Sequence, residues 1–176
     1  MSFDHDNMTG PLLSAELVNL VGEGWSADSV AKVFTEHTIR RPDIDDGGLA
    51  ELRRWSVRLR TVFEAPDEDS TCDAINALLV DGAGQVYLTS HGHFGPHLHF
   101  APDDGDVVSR VMAVTSGGLA VFTVEAGGRR LGACVRSGCD RVYVDVSRNG
   151  RRAYCSARCG NTDAVSRHRS RARLNV

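Results

Sequence analysis

Apolar residues recur at helical spacing through most of the first 130 positions. Near position 142 they switch to strict alternation. Leu13, Leu17, Leu20 and Val21 form a stripe that predicts a helix over 9–21, capped by Thr9 and ended by Gly22 and Gly24. Ser26 caps a second helix over 27–37, with Val30, Val33 and Phe34 facing inward. Residues 39–48 read as a loop, with Pro42, three aspartates and Gly47-Gly48. The third helix, 48–64, has the clearest pattern. Leu49, Leu52, Trp55, Leu59, Val62 and Phe63 line one side, most of the charges take the other, and Pro66 stops it. A fourth helix over 72–80 carries Ile75, Leu78 and Leu79 behind a Ser70 cap, with Asp67-Glu68-Asp69 preceding or opening it. Cys72 reads there as a small buried hydrophobe. QVYLTS (85–90) and HLHFAP (97–102) form two strands around HGHFGP. A fifth helix over 104–127 holds Gly117-Gly118, which kinks it or lets a neighbour approach closely.

Beyond position 130 the alternation of Val142, Val144 and Val146 with Tyr143 and Asp145 reads as a strand. Asn149-Gly150 signals a hairpin turn next to it. The fold class expected is mainly α with small β-hairpins, in two parts. Residues 1–130 form a helical domain; residues 131–176, where Cys134 and Cys139 precede Cys155 and Cys159 at the spacing of two zinc-ligand pairs, form a treble-clef-like four-cysteine zinc module with a basic C-terminal helix.

Composition changes this picture in one respect. The net charge of −3 conceals a split: residues 1–130 hold 10 Lys+Arg and 20 Asp+Glu, −10, whereas residues 131–176 hold 10 Arg and 3 Asp, +7. An acidic body with a basic end points to an anionic partner for that end. No run of 18 apolar residues occurs and the N-terminus lacks a signal-peptide pattern, so a cytoplasmic protein without membrane attachment is expected. Thiols stay reduced in that compartment.

Four of the five cysteines fall within 26 residues: Cys134 and Cys139, then fifteen residues, then Cys155 and Cys159. Two close pairs of soft, anionic ligands can surround one tetrahedral Zn2+. Four protein ligands leave no open position, so the ion is structural. Arg136, Arg141, Arg151, Arg152 and Arg158 would offset the −2 of a zinc tetrathiolate centre.

The run LGACVRSGCDRVYVDVSRNGRRAYCSARCGN resembles the CGNR zinc finger. The family pattern is Cys-x4-Cys, a segment like FxDxSRNxxRRWC, then SxxxCGNRxK. The match includes Asp145, Ser147, Arg148, Asn149, Arg151, Arg152, Ser156, Gly160 and Asn161 as well as the cysteines. It departs at Tyr154, where the family has Trp, and at Thr162, where it has Arg. The helical part resembles the family's ABATE domain in pattern and length. The resemblance implies a DNA-binding transcription regulator with an N-terminal ligand-sensing or dimerisation domain. A small-molecule effector and a homodimer are its expected partners besides DNA.

After Cys159 the sequence NTDAVSRHRSRAR predicts a helix basic nearly all round, capped by Asn161 or Thr162. Such a helix cannot be a core helix, and suits phosphates or a major groove. Arg151, Arg152, Arg158, Arg167, Arg169, Arg171 and Arg173 are the candidate nucleic-acid contacts. A separate cluster, His91, His93, His97 and His99, could line a ligand pocket or bind a second metal. That cluster carries the alternative readings, a metal-dependent enzyme or a metal- or small-molecule-binding protein. No nucleophile elbow, P-loop or dinucleotide fingerprint is present, so a non-enzyme is expected. A zinc-stapled protein-interaction module is a third reading.

Overall fold

A computed structural model describes residues 5–90, 96–100, 105–126 and 129–174. It contains α1 (His5–Glu23), α2 (Ala27–Glu36), α3 (Asp46–Glu64), α4 (Glu68–Gly82), β1 (Tyr87–Thr89), β2 (His97–His99), α5 (Val107–Ala126), β3 (Leu131–Ala133), β4 (Val142–Val144) and α6 (Ala157–Leu174). The fold is therefore mainly helical, with two antiparallel two-stranded hairpins, β1–β2 and β3–β4.

Helix α5 is the centre of the bundle and packs on α1, α4 and α3. By length and composition it could cross a membrane, yet half of its apolar window is buried among these neighbours. Leu13, Leu17, Val30, Phe34, Leu52, Leu59, Leu119 and Phe122 are essentially inaccessible. Each large apolar side chain so buried contributes about 1.5–3 kcal/mol. The Trp55 indole N–H donates to Thr115 Oγ1 at 2.9 Å, tying α3 to α5 through a satisfied polar contact.

Gly117-Gly118 leaves α5 continuous and serves close approach. A Cβ on Gly118 would lie 2.7 Å from the Cα of Gly10 in α1, and one on Gly117 would lie 2.3 Å from the Phe100 ring. This contact also explains why α1 starts at His5 and runs through Thr9 and Pro11. Packing of α1 on α5 outweighs the local signal that placed the helix start at Thr9.

Caps follow side-chain geometry. Ser26 caps α2 as expected, in a capping box with Ser29. Helix α3 begins two residues before position 48, because Asp45 accepts the Gly48 N–H at 2.7 Å. Helix α4 begins at Glu68, because Asp67 and not Ser70 is the cap and accepts the Ser70 N–H at 2.8 Å. Cys72 is exposed, against its expected burial. It sits in the second turn of α4, at the wall of a cavity.

The β3–β4 hairpin is not a separate layer. It packs on α1 and α3, and Val142 and Val144 belong to the same buried cluster as the bundle. Asn19 of α1 grips β4: its amide nitrogen donates to Val142 O at 3.1 Å, and its oxygen accepts the Val142 N–H at 2.8 Å. An Asn side chain thereby satisfies the outer edge of the strand. Arg60 donates to Asp140 O at 2.9 Å, and Arg141 pairs with Glu23 at the surface.

Candidate metal centre and basic helix

Residues 131–133 pair with 142–144 in the register Leu131↔Val144, Gly132↔Tyr143, Ala133↔Val142. The loop between them holds the first cysteine pair. The Cys134 N–H bonds Arg141 O at 2.9 Å and the Cys139 N–H bonds Arg136 O at 3.0 Å, with Gly138 at φ +74. Only glycine adopts that φ without strain. The hairpin expected around Asn149-Gly150 is absent. Those residues make a turn in which Gly150 N–H meets Ser147 O at 3.4 Å, and no strand follows it among the described residues. The cause is the way Asp145 uses its carboxylate.

Asp145 is 1% exposed and acts as a hub. Oδ1 accepts the Ser147 N–H at 2.9 Å and Oδ2 accepts the Arg152 N–H at 2.8 Å. The carboxylate thus takes the N–H groups that a second strand would have used, and closes residues 145–152 into a loop. Burial pushes its carboxyl up, but the hydrogen bonds from Ser147 and Arg152 outweigh that and hold it below the ordinary range. Arg152 completes the loop: its guanidinium donates to Tyr154 O at 2.8 Å and to Val144 O at 3.3 Å, also reaches Cys155 O, and lies 5.0 Å from the Tyr143 ring centroid.

Ser156 then caps α6, accepting the Cys159 N–H at 3.2 Å. The helix therefore starts four to five residues before Asn161 and Thr162, and Thr162 turns its hydroxyl back to Arg158 O at 2.8 Å. Gly160 lets the Tyr154 ring approach, since a Cβ there would lie 3.3 Å from Cδ2. The Tyr154 hydroxyl donates to Asp163 at 2.9 Å, and Arg167 pairs with the same carboxylate at 2.9 Å.

The four cysteines converge. Their sulfurs lie within 4.8 Å of one another, with Cys139–Cys155 at 3.7 Å, Cys155–Cys159 at 3.5 Å and Cys159–Cys139 at 3.8 Å. None of these is a disulfide. Sulfurs at the corners of a tetrahedron with Zn–S bonds of about 2.3 Å stand about 3.8 Å apart, so the donor set fits the ion. Arg136 Nε donates to Cys159 Sγ at 3.3 Å. Burial and the adjacent sulfurs push the Cys155 thiol up to about 12. The Ser156 hydroxyl, then Cys155 and Arg136, hold Cys159 down to about 6. Zinc coordination requires all four sulfurs as thiolates, so binding the ion displaces thiol protons.

Residues 130–172 match the CGNR zinc finger. No curated protein matches the chain. The CGNR module supplies Cys134, Cys139, Cys155 and Cys159 to one structural zinc ion. Its signature residues have separate tasks: Asp145 and Arg152 build the loop, and Gly160 admits the aromatic ring that precedes Cys155.

Of the candidate nucleic-acid contacts, Arg151, Arg158, Arg167, Arg169 and Arg171 are exposed. Arg152, though also at the surface, spends its guanidinium on the carbonyls named above. Arg173 lies in α6, but its side chain is outside the described residues, as is that of His97. His91 and His93 also lie outside the described residues. His99 bonds the Tyr87 hydroxyl through Nδ1 at 3.1 Å. Among the described residues only the four cysteines form a metal-capable group. Sequence reasoning did not single out Asn19 or the hub role of Asp145. The Asn19 contact spans 123 positions and left no local signal. Asp145 had one: a carboxylate set among valines at strand spacing.

Proposed function

We propose that this zinc-binding chain is a DNA-binding transcription regulator in which the CGNR module presents α6 to the phosphate backbone. The observation that carries the reading is the state of α6. It is fixed at its first turn by Cys159 and exposed along most of residues 161–171, with Arg167, His168, Arg169 and Arg171 on its surface. The +7 charge of residues 131–176 against −10 for the rest supports the same polarity, since the acidic bundle turns a polyanion away. Phosphate contact follows from charge, and reading of bases does not. The N-terminal bundle then serves as the sensing or dimerising part.

The test is fluorescence anisotropy of the zinc-loaded chain on duplex DNA across salt concentrations. Each phosphate neutralised contributes about −0.9 to the slope of log K against log[salt]. Arg169→Ala with Arg171→Ala should flatten that slope by nearly two units. An unchanged slope removes α6 from the interface.

A further inference from the structure

A cavity of about 440 Å³ opens where the first turns of α4, the last turns of α5 and the lead-in to β3 meet. It belongs neither to the cysteine centre nor to α6. Phe122, 1% exposed, and Leu131 give it an apolar floor, and Thr71 and Cys72 of α4 form a wall. Arg129, Arg130 and Glu68 are its charged lining residues, a net positive set. One Nη of Arg129 donates to Ala65 O at 2.9 Å, which anchors the guanidinium and leaves its other N–H groups for a ligand. Thr123 also lines the cavity, and its buried hydroxyl has no hydrogen-bond partner. A buried polar atom without a partner costs about 1–3 kcal/mol, so the fold is better served when something polar reaches it.

We infer that this cavity binds a small amphipathic anion, with its apolar body on Phe122 and Leu131 and its anionic head on Arg129. The volume lies within the range of small-molecule sites, roughly 300–1,000 Å³, and the lining has their usual composition of apolar walls with a few polar groups. A guanidinium offers such a head group a planar pair of donors. Arg130 gives the site a route to the metal module. Arg130 lines the cavity, and its guanidinium bonds Asp145 O at 3.3 Å and Ser147 O at 2.5 Å. Anion binding here is independent of nucleic-acid binding and is measured without DNA.

The probe is 1-anilinonaphthalene-8-sulfonate, titrated by fluorescence into the zinc-loaded full chain, with octanoate as competitor. Saturable one-site binding displaced by octanoate is expected. Cys72→Trp fills the cavity from an exposed position and should weaken binding at least tenfold. Arg129→Gln should weaken it about tenfold, the loss of one charge-assisted contact. Val80→Ser removes an exposed valine, 81% accessible, outside the cavity and should leave binding unchanged. Zinc content and cooperative unfolding verify that each variant is folded. Absence of saturable binding, or equal affinity in Arg129→Gln and the parent chain, overturns the site.

Discussion

Asp145→Ala should uncouple the metal module from its own ligands. The parent carboxylate is buried and accepts two backbone N–H groups, from Ser147 at 2.9 Å and Arg152 at 2.8 Å. Hydrogen bonds to a charged group contribute about 1.5–3 kcal/mol each, so losing both costs about 3–6 kcal/mol. That is a large share of a stability of about 5–15 kcal/mol. The loop that Asp145 closes leads directly into Cys155, so the loss reaches the metal. Competition against a chromophoric chelator near neutral pH should show zinc affinity down by about two orders of magnitude or more, at about 1.4 kcal/mol per tenfold. Urea unfolding followed by the buried Trp55 should shift in the same direction. Asp145→Asn should fall between, because its amide can accept one N–H but presents a donor to the other. Arg148→Ala, exposed in the same turn, should stay within about 0.5 kcal/mol of the parent. A zinc affinity for Asp145→Ala within about threefold of the parent would refute the hub. The pH sign is also fixed. The folded carboxyl is depressed, so its contribution is complete above the unfolded value near 3.9 and is lost as pH falls through the folded one. Between about pH 5.5 and 8 this group alone adds no slope.

Zinc binding itself should show the opposite behaviour in that window. Cys155, pushed up to about 12 without metal, must release its proton on binding, so affinity should rise with pH and calorimetry in two buffers should detect at least one proton released per ion. An affinity independent of pH between about 6 and 8 would exclude this. Asn19→Ala leaves both the N–H and the C=O of Val142 without their buried partner and should cost about 2–4 kcal/mol in urea unfolding; a change under about 0.5 kcal/mol would remove the clamp. Gly118→Ala should cost about 1–3 kcal/mol or more, because backbone meets backbone there, while Gly22→Ala, with nothing within 4 Å, should be neutral or stabilising. Equal melting temperatures for the two variants would contradict the close α1–α5 contact.

What could be read along the chain was what spacing encodes. The cysteine pairs, the inward stripes of α2 and α3 and the Ser26 cap all lie within a few residues of their partners. What escaped depended on distant partners or on competition between near-equal signals. Asn149-Gly150 is a sound turn signal, but the strand that pairs with Val142–Val144 lies before it, because Leu131 and the bundle core hold that register. Ser70 and Asp67 compete for one helix start, and the aspartate's position three residues ahead of the Ser70 N–H decides it. Cys72 is exposed at the wall of a cavity that no local pattern announces.

The two valines of β4 carry a consequence for the protein's lifetime. Val142 and Val144 are core residues of the helical bundle, yet they sit on a hairpin whose loop is held by the metal ligands. A chain synthesised under zinc starvation should therefore open this strand from the bundle more often, with only Asn19 and the core contacts to hold it. Quality-control proteases act on such openings in proportion to how often they occur. Metal supply should then set the abundance of the whole polypeptide, with half-life in zinc-depleted cells shortened in step with the unfilled fraction.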